Sequence, residues 1–194
     1  VYRIQWIFQY RFSFARLSPI HMEANMEGFR ALAYALLVSL PSLGYSGTLV
    51  VSQDLALEYP EPELISHSSN MLILKYDDWV LSHQVVDGES MYSQVDLTGV
   101  TVEFIQSIFI PEKRSVLPNW LQVLAEERGR EFGLPEGEVT SQKVGQFELL
   151  GTYSKQHRSG YLYVFDRAAI HHIVIQGTEE RYQEVINHIR ELTS

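Results

Sequence analysis

The sequence predicts an α+β fold, a mainly antiparallel sheet with helices packed on it as an α/β/α sandwich. Three observations carry that expectation. Short β-rich runs crowd together between residues 144 and 176, with connections too brief for parallel crossovers. Two segments, Pro118–Phe132 and Thr178–Leu192, place apolar residues at three- and four-residue steps. The element order runs strands, helix, meander, helix, without strict strand–helix alternation.

The chain of 194 residues joins two kinds of text. Four of its 15 basic and two of its 24 acidic side chains fall in 1–46, which leaves 11 basic and 22 acidic in 47–194. Residues 1–25 start with Val1 and follow neither a two-residue nor a 3.6-residue period. With Met22 and Met26 available as downstream starts, 1–25 is expected to be an over-extended gene start or a disordered extension. From Met26 a short n-region with Arg30 leads into the apolar run Ala31–Leu40, then Pro41 and the small residues Ser42, Gly44, Ser46 and Gly47. That order is expected of a secretory signal peptide over 26–46, with cleavage before Gly47. The run is too short for the roughly 20 apolar residues that a membrane span requires. No stable transmembrane segment is therefore expected in the mature form, and 47–194 reads as one domain.

Within that domain Thr48–Ser52 and Leu55–Tyr59 are β-prone, and Pro60 and Pro62 end the second run. Met71–Lys75 and Trp79–Val86 flank Asp77-Asp78 and predict a hairpin. Thr98–Ile110 reads as a helix from Leu97, Val100, Phe104, Ile105 and Ile108, capped by Thr98 and stopped by Pro111. In Pro118–Phe132, Pro118 suits the first helical position, Glu126 and Arg130 form an i,i+4 pair, and Gly133 supplies the residue beyond the C-cap. Val144–Tyr153, Gly160–Phe165 and Ile170–Gln176 predict a three-stranded meander. A last helix begins at the N-cap Thr178 and runs a stripe of Tyr182, Val185, Ile186, Ile189 and Leu192.

The stretch HHIVIQGTEERYQEVINHI, a strand running through Gly177 into the terminal helix, resembles the PsbP-like α/β/α sandwich, as does the element order over 55–192. The resemblance implies that fold, and with it an accessory or binding role of the kind that group is mainly known for. It carries no functional residue onto this chain.

Chemistry is narrowed by what is missing. The sequence has 0 Cys, so disulfides, thiolate metal sites, cysteine nucleophiles and a lipid-modified cysteine are excluded. A net charge of -9 argues against a nucleic-acid partner. There is no Walker-type phosphate loop, dinucleotide fingerprint, H-E-x-x-H pair, EF-hand loop or G-x-S-x-G elbow. His171 and His172 are adjacent on a strand and point to opposite faces, while His83 on an earlier strand could approach either. A zinc pair of His83 with His171 or His172, completed by Asp78, is the metal reading; a hydrogen-bonded strand histidine is the plain one. Asp77-Asp78-Trp79 is a sugar or cation site if open, and a solvated turn beside a core tryptophan if not. Tyr161, Tyr163 and Phe165 share a strand face, which is a stacking platform for a ligand if exposed and core if covered by the terminal helix.

Together these readings predict an exported bacterial cell-envelope domain, periplasmic or secreted, that binds an envelope protein or a small molecule without catalysis or cofactor. The alternative is a hydrolase or metal-dependent enzyme built on His83, His171, His172 and Asp77/Asp78, which requires those side chains to converge in one concave site.

Overall fold

Two antiparallel sheets organise the computed structural model, which describes residues 46–192 apart from 53, 90, 93 and 94. The predicted extension 1–25 and the signal segment, apart from Ser46, lie outside the described residues. The smaller sheet holds β1 (Ser46–Val50), β2 (Leu55–Pro60) and β10 (Ile189–Glu191) in the order β1-β2-β10. The larger holds β3 (Leu64–His67), β4 (Met71–Lys75), β5 (Val80–Val85), β6 (Val139–Val144), β7 (Phe147–Ser154), β8 (Ser159–Phe165) and β9 (Ile170–Gln176). Its order is β3-β4-β5-β9-β8-β7-β6. The fold is α+β.

Four helices among the described residues are α1 (Thr101–Phe109), α2 (Pro111–Ser115), α3 (Asn119–Glu131) and α4 (Glu179–Asn187). They lie against both faces of the large sheet. On one face Phe104, Ile105, Ile108 and Phe109 of α1 and Leu121 and Ala125 of α3 form a core with Leu150, Tyr163 and Ile170. On the other, Tyr182, Val185 and Ile186 of α4 and Leu55 and Leu57 of β2 pack with Leu81, Leu149, Leu162, Ile173 and Ile175. The strand register produces this sorting. Leu150, Tyr163 and His172 stand side by side across β7, β8 and β9, and the next residue along each strand faces the opposite core.

Several elements differ from expectation, each for a local reason. The first strand starts at Ser46, within the predicted signal segment, because Ser46–Val50 pairs with Ala56–Pro60. Val100 caps α1 with no side-chain bond, and Thr98 instead donates its N–H to Asp96 Oδ1 at 2.8 Å. Pro111 does not end helical structure but opens α2, where its missing N–H is harmless. Pro118 is the N-cap of α3 and not its first helical residue, since its ψ of 144° is extended. Glu126 meets Arg114 at 3.8 Å, not Arg130. Most of the predicted strand Val144–Tyr153 is β7, while Val144 ends an additional strand, β6, that joins β7 through a turn at Gly145-Gln146. The last helix stops at Asn187, and Ile189 reaches the core from β10 opposite Leu57.

Other expectations hold in detail. Gly133 follows α3 with φ 90°, a conformation that a side chain resists. Thr178 caps α4 by accepting the N–H of Arg181. Gly160 is required by α4 itself, since a Cβ there would lie 2.1 Å from the ring of Tyr182. No helix among the described residues is long and apolar enough to cross a membrane.

Because Ile186 is 2 % exposed in the α4 core, Ile186→Asp buries an unpaired carboxylate and is expected to remove roughly 4 kcal/mol or more of stability. Urea unfolding reads the loss; an unchanged midpoint contradicts the docking of α4.

Candidate functional site

Helices and the small sheet cover the central strands of the large sheet and put their polar side chains under constraint, and two groups of them stand out. His171 points into the α4 face. His83, diagonal to it on β5, brings Nε2 to 3.1 Å from His171 Nδ1, a hydrogen bond between imidazoles. On the far side of His171, Asp166 Oδ2 lies 4.0 Å from Nε2, too far for a hydrogen bond, and Nε2 is buried without a partner. Asp166 is held by the β8–β9 turn, where its N–H donates to Ala169 O at 2.9 Å. The result is a line from a buried carboxylate through a buried imidazole to a half-buried one. Burial, and then His171 beside it, pushes His83 down to about 4. Burial also lowers His171, against the opposing pull of Asp166. Among the described residues no hydroxyl is hydrogen-bonded to His83.

His172 points into the other core, where its ring lies flat on Tyr163 at 4.3 Å and 9°. Gln84, opposite it on β5, brings Nε2 to 3.4 Å from Nδ1, while His172 Nε2 is buried without a partner. Burial first, then the charges of Arg128 and His83, lowers His172 to about 4, so it is neutral near pH 7. Arg128 comes from α3. Its guanidinium lies over the rings of Tyr92 (5.1 Å) and Phe132 (5.8 Å), and its Nε donates to Tyr92 Oη at 2.9 Å. Gln84, Arg128, Phe132, Tyr163 and His172 line a cavity of about 330 Å³, and Asn70, Val86, Asp87 and Met91 are also in its wall. That size is at the lower end for small-molecule sites.

The remaining predicted residues fall elsewhere. Tyr161, Tyr163 and Phe165 do share a face, but α1 and α3 cover it and the terminal helix does not. Phe132 stacks on Tyr161 at 4.4 Å, and Phe109 meets Tyr163 edge-on. The terminal helix lies on the opposite face, over Leu162 and Val164. Asp77 and Asp78 are exposed turn residues, and Asp78 faces Arg181 at 3.7 Å. Trp79 is 6 % exposed and stacked on Tyr76 at 3.9 Å, which leaves it no free ring face for a sugar. Five steps along the chain, most of them in β5, take Asp78 up to about 17 Å from His83. The proposed constellation of His83, His171, His172 and Asp77/Asp78 thus divides between two faces and two ends of β5. Asp78 is not placed as a third ligand, and among the described residues no three His, Asp, Glu or Cys side chains are grouped to hold a metal ion.

Arg128, Gln84 and Asp166 were not singled out by the sequence. Gln84 has a local signal, since period-two alternation from His83 puts it on the face opposite Leu81. Asp166 and Arg128 have none, because each acquires its role from a distant residue.

The neutral buried histidines make stability depend on pH. Between the ordinary value of 6.5 and about 4, the unfolded chain binds protons at His83 and His172 that the folded protein does not. Stability is full above 6.5 and falls as pH drops toward 4, by at most about 1.4 kcal/mol per pH unit for each histidine. Urea unfolding at about pH 7.5 and about pH 5 measures this slope, and His172→Phe is expected to flatten it. An equally steep slope in that variant contradicts a neutral buried His172.

Set against protein-family models, curated proteins and solved structures, the chain finds no match.

Proposed function

We propose that this chain is an accessory binding domain of the bacterial cell envelope, exported through the signal segment 26–46, which holds a small ligand and does no chemistry on it. The observation that carries the reading is the cavity between β5, β8, β9 and α3, which sets Arg128 and His172 beside the rings of Phe132 and Tyr163, with Asn70, Gln84 and Asp87 as further polar lining. A buried polar group without a partner is destabilising by about 1–3 kcal/mol, and His172 Nε2, covered by its neighbours, recovers that energy where they shift to admit an acceptor. In the second polar group, Asp166–His171–His83, no hydroxyl among the described residues is hydrogen-bonded to an imidazole, which favours binding over turnover. The PsbP-like resemblance points to the same kind of role. Tyr163 contributes as a wall of the cavity, and Tyr161 supports it from behind Phe132.

Fractionation of the native host followed by N-terminal sequencing is expected to return an envelope protein beginning at Gly47. Cytosolic protein still carrying Ala31–Leu40 overturns export. Robust hydrolysis of a simple ester, phosphate or glycoside by the purified protein overturns the non-catalytic reading.

A further inference from the structure

We infer that the cavity takes a small monocarboxylate with a flat apolar body, bound through its carboxylate to Arg128. The inference rests on the cavity being a ligand site and adds the chemical class.

Arg128 is the one cation lining this cavity among the described residues. Two of its nitrogens have partners, Nε with Tyr92 Oη and Nη1 with Glu131. Nη2 has none among the described residues. Two aromatic rings fix the guanidinium plane, so the free edge is presented without further ordering. A planar fork held in this way matches a carboxylate, and Arg–carboxylate bonds are among the stronger hydrogen bonds in proteins.

The second donor follows from the Gln84 contact. Gln84 Nε2 is a donor, so His172 Nδ1 accepts, and the neutral ring carries its proton on Nε2. That N–H lacks an acceptor. The cavity therefore offers the partly exposed guanidinium edge directly, whereas the imidazole N–H is covered by its neighbours and meets a ligand only where they shift. Cationic ligands find no match to either.

Charge count separates carboxylate from phosphate. Asp87 also lines the cavity, and Glu131 already shares Arg128. With two carboxylates around one arginine, the guanidinium edge pairs one ligand carboxylate, and a second negative charge is repelled without a partner, which disfavours a dianion. The body of the ligand is set by the other walls: the rings of Phe132 and Tyr163, with Val86 and Met91, are flat or apolar and lack charge.

The test titrates benzoate, benzamide, benzylammonium and inorganic phosphate into the protein while recording NMR signals of Tyr163, His172 and Gln84. Benzoate is expected to shift these signals saturably, with benzamide and benzylammonium at least ten-fold weaker and phosphate unable to displace it. Arg128→Gln is expected to weaken benzoate at least ten-fold. The comparison of benzoate with benzamide on the unaltered protein decides the question even where that variant does not fold. Equal binding of benzamide or benzylammonium, displacement by phosphate, or unchanged affinity in a folded Arg128→Gln overturns the carboxylate assignment and leaves the cavity as a ligand site. Silence of the cavity signals toward all four probes overturns both.

Discussion

Alternation along β8 and β9 is the constraint on which the rest depends. In most antiparallel sheets one face meets water, and polar residues are placed there. Here α1 and α3 cover one face of the central strands, and α4 with the small sheet covers the other. On β9 the α4 face is closed over His171, Ile173 and Ile175, while on the other face Ile170 is buried and His172 and Val174 are half-buried. Adjacent histidines in such a strand cannot share a task. One enters the α4 core and the other the α1–α3 core, and each must find its own partners.

The partners are incomplete in the same way on both sides. His171 receives one imidazole and stops short of a carboxylate; His172 receives one amide and a stacked ring. In each case Nε2 is left without a bond. Buried side chains are usually fully bonded, so an orphaned nitrogen marks a place where packing alone does not explain the residue. The two sides differ in what lies beside that nitrogen. Asp166 stands across from His171, and protonation of His171 would complete that contact internally. Beside His172 there are an arginine edge and a cavity. The first arrangement satisfies itself by taking up a proton, whereas the second has no internal acceptor among the described residues.

Elements whose evidence is local were legible in the residues. MLILK and WVLSHQVV around Asp77-Asp78, the junction at Gly177-Thr178, and the stop at Gly133 all depend on neighbours within a few positions. Elements that exist through a distant partner were not. No residue of β3 is buried; its ladder with β4 holds it. Ile189 fits a helical stripe and a strand equally well, and only pairing with Leu57 decides. The site follows the same division. The opposed histidines follow from strand geometry. Arg128, by contrast, sits among Glu126, Glu127, Arg130 and Glu131 and reads as solvent-facing charge until Tyr92, 36 residues away, accepts its Nε–H.

The cavity lies where it does because the helical layer is narrower than the sheet beneath it. The α1–α3 core rests on Leu150, Tyr163 and Ile170, from β7, β8 and β9. It stops short of β5, and at the far edge β3 is exposed throughout, with Leu64 53 % and Ile65 59 % exposed. At the margin of the covered region, between Phe132 at the end of α3 and Gln84 on β5, the layer no longer fills the space above the strands. A side chain long enough to span that margin must come from the last turns of α3, and Arg128 is such a side chain, with aromatic rings to hold its plane. Full coverage would close the space, and no coverage would leave His172 in water with nothing unusual about it. An edge of this kind gives a polar group low dielectric surroundings and an open approach together, which is the combination that makes a single hydrogen bond discriminating.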